Sequence, residues 1–326
     1  MQPPPQSQPQ PPPQSGMNEL YAWESSLPVY ALEQYLNKVS IVRYSPETNS
    51  FNCTGSFSHP YPATKVAWVP DDSGTKEDLL ATTGDYLRVW RITPTLGGFG
   101  TDEVAKVCEF TSKNPTSTYC SPLTSMDWNR FDPTCIGTSS IDKTCTIWNV
   151  ETQQAKTQLV AHDDEVYDIS FSSADVFATA GRDGSIRMFD LRALEHSTIT
   201  YESKKPMLRV DFNLQDTNFL AAVEEDASYT TIIDVRQPSH PVSKLLNGGH
   251  TAAVSAIAWA PHSSCHLVSC GDDSQALIWN LQQQQQQQEP ILAYQAQNEI
   301  NNVKWSTANH EWISIAFDKK VEFLRV

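Results

Sequence analysis

No catalytic signature runs through the 326 residues: there is no GxGxxG after a strand, no GxxxxGK(S/T), no GxSxG and no HExxH. Phosphate cradles, nucleophile elbows and zinc-protease helices are thereby excluded, and no catalytic residue, cofactor or metal is expected. Cysteine is sparse, and its count is odd. Cys53, Cys108, Cys120, Cys135, Cys145, Cys265 and Cys270 form no CxxC pair, which excludes a zinc finger or a disulfide framework. Several sit at strand positions, where a reduced thiol packs as a small apolar group, so the reading is a reducing compartment. Basic charge is also in deficit, with 23 basic against 38 acidic side chains and a net charge of −15. A nucleic-acid surface would have to work against that field, so direct nucleic-acid contact is not expected and basic protein segments are the better partners. Apolar runs long enough to cross a membrane are missing. The first fifteen residues, Pro, Gln and Ser after Met1, lack the apolar centre of a signal peptide.

What the sequence does contain is a repeat. The stretch Gly248 to Leu281 reads as one unit: Ala253 to Trp259 alternates toward a buried face, Pro261 to Ser264 breaks the pattern, His266 to Cys270 is a second short strand, Asp272-Asp273 turns, and Gln275 to Leu281 is a third. The aromatic closing its first strand, Trp259, has equivalents at Trp68, Trp128, Phe171, Phe212 and Trp305, separated by 60, 43, 41, 47 and 46 residues. Third-strand markers at Trp90, Trp148, Phe189, Ile233, Trp279 and Leu324 are separated by 58, 41, 44, 46 and 45. Two independent markers share one period, which is that of four-stranded WD40-type propeller blades. The long interval is accounted for by polar insertions around Thr93 to Thr101 and Thr111 to Tyr119.

The expected architecture is therefore an all-β, seven-bladed WD40-type β-propeller spanning residues 17–326, after a disordered Pro/Gln-rich arm over 1–16. The chain stops after the third strand of its last unit, and the short strand Asn18 to Glu24 is expected to supply the missing outer strand and close the ring. The first blade is degenerate. Val29 to Leu32 and Lys38 to Tyr44 read as its first and third strands with no room for a second, so a narrow three-stranded blade ending in Phe51 to Phe57 is expected. A polyglutamine loop, 282–288, interrupts the sixth blade before its outer strand at Ile291 to Gln295.

Within the best unit, four polar residues fall where a blade buries them. The Asp273 carboxylate can accept from His250, and Ser269 can bridge that imidazole to the indole N–H of Trp279. His59, Thr82, Asp85 and Trp90 read as a second full set, with His59 nine residues before Trp68 as His250 is before Trp259. His162, Thr179 and Asp183 lack the indole; Thr138, Asp142 and Trp148 lack the imidazole. Partial copies spread round a ring indicate structural use, because catalysis needs one convergent cluster. Separately, Phe189-Asp190-Leu191-Arg192 and Ile233-Asp234-Val235-Arg236 place Arg192 and Arg236 at third-strand ends on one face. There each is either a solvated arginine or a contact for a partner carboxylate.

Longer strings then carry a resemblance. They include His59-Pro60-Tyr61-Pro62, Gly84 to Trp90, Pro122 to Ser125 with Asp127-Trp128-Asn129, Asp142 to Trp148, Leu194 to Ile199, Ile257 to Pro261, Gln275 to Trp279 and Glu299 to Val303. From Val29 to Val326 the chain is similar to the WD-repeat scaffold family of the plant TRANSPARENT TESTA GLABRA and light-regulated WD proteins and the animal WD-repeat protein 68 (DDB- and cullin-associated factor 7). It departs from that family in lacking a strand between Leu32 and Lys38, and in its Pro/Gln arm and glutamine run. The resemblance implies a monomeric, non-catalytic scaffold of the nucleus and cytoplasm. Its implied partners are DYRK- and HIPK-type kinases or MYB and basic helix-loop-helix transcription regulators. The alternative is a substrate receptor of a cullin-4 RING ubiquitin ligase, because the segments ending in Arg192 and Arg236 look like the WDxR box with its Trp replaced.

Overall fold

A computed structural model describes residues 20–24, 37–45, 48–71, 74–95, 101–111, 121–282 and 289–326. The arm at 1–16, the expected strand at Val29 to Leu32 and glutamines 283–288 lie outside the described residues. Among the described residues every regular element is a strand. After β1 (Leu20–Glu24) comes a hairpin, β2 (Lys38–Ser45) and β3 (Ser50–Ser58). Four-stranded antiparallel sheets follow at the period seen in the sequence. The first contains β4 (Lys65–Trp68), β5 (Leu79–Thr83), β6 (Leu87–Thr93) and β7 (Glu103–Phe110), and the second β8 (Leu123–Trp128), β9 (Cys135–Ser140), β10 (Thr144–Asn149) and β11 (Gln154–Val160). The third is β12 (Val166–Phe171), β13 (Val176–Gly181), β14 (Ser185–Asp190) and β15 (Ser197–Glu202); the fourth is β16 (Met207–Phe212), β17 (Phe219–Glu224), β18 (Thr230–Asp234) and β19 (Pro241–Leu245). The fifth is β20 (Val254–Trp259), β21 (His266–Gly271), β22 (Gln275–Asn280) and β23 (Pro290–Gln295). The chain ends with β24 (Asn302–Trp305), β25 (Trp312–Phe317) and β26 (Lys320–Arg325), and the fourth strand of that sheet is β1, with Leu20 opposite Leu324 and Glu24 opposite Lys320.

The protein is thus an all-β propeller, with six four-stranded blades among the described residues. Its core is divided among the layers between consecutive sheets, because each blade buries a face only by stacking on the next. Ala178, Ala180 and Ile186 of the third sheet meet Val210, Phe212 and Leu220 of the fourth, and Ala221, Val223 and Ile232 of the fourth meet Ile257, Trp259 and Leu267 of the fifth. Small residues on second strands facing large ones on the next first strand let the layers interdigitate.

The turn between second and third strands closes on a left-handed residue, at Lys143 (φ 73°), Gly184 (φ 81°) and Ser274 (φ 62°). Glycine at Gly181 is required for another reason: a Cβ there would lie 2.3 Å from Nδ1 of His162.

Of the three strands expected in the first sector, the described residues contain two, β2 and β3. Among the described residues β2 pairs with β3 alone. Ile41, Val39 and Phe57 of this hairpin cover Leu80, Trp90 and Ile92 on one side, and Phe51 stacks on Phe323 at 3.7 Å on the other. The hairpin therefore wedges the outer half of the gap between the last sheet and the first.

Candidate functional site: buried polar networks and a rim of paired arginines

The fifth sheet assembles its four polar residues as one chain of hydrogen bonds. His250 Nδ1 donates to Asp273 at 2.9 Å, its Nε2 accepts from Ser269 Oγ at 2.8 Å, and that oxygen accepts Trp279 Nε1–H at 2.8 Å. Asp273 also accepts from the amides of Thr251 and Gln275, at 2.9 and 3.1 Å. Burial would raise its carboxyl pKa, but the bonds from His250 and the Thr251 amide outweigh burial and hold it below the usual range. The third sheet repeats the arrangement with His162, Thr179 (2.7 Å) and Asp183 (2.9 Å), and Ser185 adds an O–H donor to the carboxylate at 2.7 Å. There too burial opposes ionisation, yet the bonds from Ser185 and the charge of His162 bring Asp183 down to about 2. Burial lowers the His162 pKa in turn, although the charge and hydrogen bond of Asp183 raise it. In the second sheet Trp148 donates to Thr138 at 2.9 Å, while Asp142 caps Thr144.

The first sheet corrects the expected set. His59 Nε2 meets Thr82 at 3.0 Å and Trp90 donates to the same oxygen at 2.9 Å, but Nδ1 donates to the Tyr61 carbonyl. Asp85 instead grips the buried Arg88 through both oxygens, at 2.6 and 2.9 Å, and Glu109 adds a third contact at 2.7 Å. The reason is spacing. Thr82 precedes Trp90 by eight residues, against ten between Ser269 and Trp279, so the turn is two residues shorter and Asp85 occupies the place of Arg182 rather than that of Asp183.

A hydroxyl, an imidazole and a carboxylate in this order match the geometry of a hydrolase triad. Their setting excludes that use. Ser269 is wholly buried, and its oxygen is already held by Trp279. A nucleophile needs an open approach, and this one has none.

Three further networks escaped the sequence reading. Glu224 takes the place of the missing set in the fourth sheet, gathering Tyr201, Ser203, Tyr229 and Lys244 at 2.9 to 3.5 Å. Glu322 accepts from Tyr294 at 2.6 Å; burial and this carboxylate push the phenol up to about 12. The third network joins blades. At three blades the residue before the first-strand aromatic accepts the amide of the next such aromatic: Asp127 from Phe171 (2.7 Å), Ser170 from Phe212 (3.2 Å) and Asp211 from Trp259 (3.2 Å). The available signal was an Asp or Ser preceding the periodic aromatic. Around the axis Lys65 reaches Asp168 at 3.1 Å and Ser125 at 2.9 Å. Burial raises Asp127 to about 6 although Lys65 and the Phe171 amide pull it down.

Arg192 and Arg236 lie at equivalent third-strand ends of the adjacent third and fourth sheets. Each is held bidentately by the aspartate two residues before it, Arg192 by Asp190 at 2.8 and 2.6 Å and Arg236 by Asp234 at 2.9 and 2.7 Å. Both side chains are more than half exposed, 67% and 58%. Corresponding ends in the second and fifth sheets carry Asn149 and Asn280, which cap Thr152 and Gln282 without an arginine. Two fixed guanidinium groups therefore stand on one rim.

These stacked sheets and their His–Ser/Thr–Asp links define a WD-repeat propeller. The WD domain, G-beta repeat family matches residues 153–190 and 240–280, so each matched repeat begins at the outermost strand of one sheet and ends on the third strand of the next. The chain is 48% identical to the DDB1- and CUL4-associated factor 7 homolog of Dictyostelium discoideum over 90% of its own length and 89% of the relative's, and it belongs to that WD-repeat family. It is also 32% identical to an uncharacterised WD repeat-containing protein of Schizosaccharomyces pombe, covering 82% of this chain and 75% of the other. A WD repeat-containing protein of Saccharomyces cerevisiae is 34% identical, covering 76% of this chain and 53% of the yeast protein.

Proposed function

We propose that the chain is a non-catalytic scaffold that assembles protein complexes, with DYRK- or HIPK-type kinases or MYB and basic helix-loop-helix regulators as partners in nucleus and cytoplasm. In this reading the hairpin β2–β3 is a reduced seventh blade and the β1–β26 pairing closes the ring. The observation that carries the scaffold reading is the occupied, buried Ser269–His250–Asp273 network: polar chemistry here is spent on holding blades rigid, which leaves the surface to recognition. Affinity purification with mass spectrometry tests it. Recovery of kinases or transcription regulators supports the reading, and a purified chain that returns neither overturns those partners.

A second reading, a substrate receptor of a cullin-4 ligase, is favoured by the paired Arg192 and Arg236 and by the name of the Dictyostelium relative. Preorganised guanidinium groups lose little freedom when they meet a partner carboxylate. Charge reversal, Arg192→Glu with Arg236→Glu, is expected to abolish co-purification of the ligase adaptor while kinase binding and the melting temperature persist. An unchanged adaptor yield rejects this role for the two arginines.

A further inference from the structure

The sequence holds a single Asn-Gly pair, Asn247-Gly248, and it lies in the link between β19 and His250. The Gly249 amide donates to the Leu246 carbonyl at 3.3 Å, which closes a four-residue turn. Gly248 fills the third position with φ 61°, where a Cβ is disfavoured. Asn247 and Gly248 are both exposed. Among the described residues neither the Asn247 side chain nor the Gly248 amide makes a hydrogen bond.

Asparagines elsewhere are tied down. Asn129 and Asn213 are wholly buried, and each gives its Oδ1 to two amides of its own loop and its Nδ2 to the next blade. Asn149 and Asn280 each cap a following amide. The one Asp-Gly pair, Asp183-Gly184, is a sharper contrast. Its Gly184 amide donates to the Gly181 carbonyl at 3.1 Å, and the Asp183 carboxylate is held by Ser185 and His162, so nitrogen and carboxyl are both occupied.

We propose that Asn247 is a site of spontaneous modification, at which the chain converts to isoaspartate. The Gly248 amide nitrogen gives its proton to water and attacks Cγ of Asn247. A new C–N bond closes a cyclic succinimide, the Cγ–Nδ2 bond breaks, and ammonia leaves with a proton from water. Water then opens the ring at either carbonyl, giving aspartate or an isoaspartate whose main chain runs through Cβ and Cγ. The attack requires the Asn247-Gly248 peptide plane to rotate, and the bond that closes the turn does not use the N–H of that plane. Glycine at 248 removes the Cβ that would crowd the approach.

The product acts on the fifth sheet. Isoaspartate lengthens the main chain by one atom just before His250, and the loop has no slack to absorb it: a Cβ on Gly249 would lie 3.1 Å from both the Leu245 carbonyl and Trp279 Cη2, and one on Gly248 would lie 3.3 Å from Pro290. The added length therefore shifts His250 against Ser269 and Asp273, and the added charge stands near Glu289. Asn247 couples the age of the chain to the buried tetrad. The inference does not depend on the scaffold reading.

The test incubates the folded full chain in water enriched in heavy oxygen, which marks only carboxyl groups formed during the incubation, and locates the label by peptide mass spectrometry. Residue 247 should take up label about tenfold faster than any other asparagine, chiefly as isoaspartate, while Asp183 takes up none. Asn247→Gln should abolish the signal at 247, because its ring is one atom larger and closes slowly. The aged isoaspartyl fraction, separated by its extra negative charge, should exchange the Thr251 amide, which Asp273 accepts, faster than Asn247→Asp does, since that variant adds the charge without the extra chain atom. Label at 247 no faster than at other asparagines overturns the site. An aged fraction that exchanges like Asn247→Asp overturns its coupling to the tetrad.

Discussion

Replacing Asp273 by alanine is the sharpest probe of the buried networks. The carboxylate accepts three bonds, from His250 Nδ1 and from the amides of Thr251 and Gln275. Water can reach the exposed Thr251 amide, but it cannot reach the imidazole N–H, whose side chain is 1% exposed. Leaving a buried donor without an acceptor costs about 1–3 kcal/mol, and the charge-assisted character of this bond places the expected loss toward the upper end. Asp142 offers the contrast: it is exposed and among the described residues accepts only from the amide and hydroxyl of Thr144, so Asp142→Ala should cost no more than about 1 kcal/mol. Urea unfolding midpoints at constant slope give the comparison. Acid adds a second signature. The folded-state pKa of Asp273 is depressed, so its contribution is complete above the unfolded value near about 4 and is lost as pH falls through the lower folded value. The gap between native chain and variant should therefore hold at neutral pH and narrow in acid. Equal losses for Asp273→Ala and Asp142→Ala would refute the reasoning.

Deleting residues 1–24 removes the strand paired along Lys320 to Leu324 and should cost several kcal/mol by exposing that edge, seen as a lower melting temperature, whereas deleting 1–15 should leave it unchanged. Asp127→Asn should gain stability relative to the native chain as pH rises from 4 to 7. Burial raises the native carboxyl to about 6, so ionising it in that window destabilises the fold; a difference constant with pH would contradict this. Amides of Lys38 to Ser58 should exchange well before those of Val254 to Asn280, because a two-stranded sheet has fewer partners to lose; uniform protection would show that the first sector is no weaker.

Period carried most of the architecture. Trp128, Phe171, Phe212 and Trp259 stand at the ends of first strands because a stacked blade must bury one large side chain there, and that demand recurs with the repeat. The tetrad at His250 was legible for the same reason, since its four members keep fixed offsets. Asp85 was misread because only the offset from His59 to Trp68 was weighed, while the shorter step from Thr82 to Trp90 already recorded a missing pair of turn residues. Glu224 and Glu322 could not be anticipated: each replaces a network with different chemistry at different strand positions, and no spacing rule links Glu224 to Lys244. The pairing of Arg192 with Asp190 rests on a side-chain conformation, which strand periodicity does not specify.

The bonds from Asp127, Ser170 and Asp211 to the next blade's amide make the ring directional. Their series ends at Ala258 and is absent at Ala67, the corresponding residues before Trp259 and Trp68, so the clamps span one continuous arc and stop on both sides of the hairpin. A propeller with such a seam responds to load like a linear array bent round on itself. Pulled or heated, it should part beside the hairpin and shed blades inward from there, leaving the clamped arc from β8 to β20 as the last piece to separate.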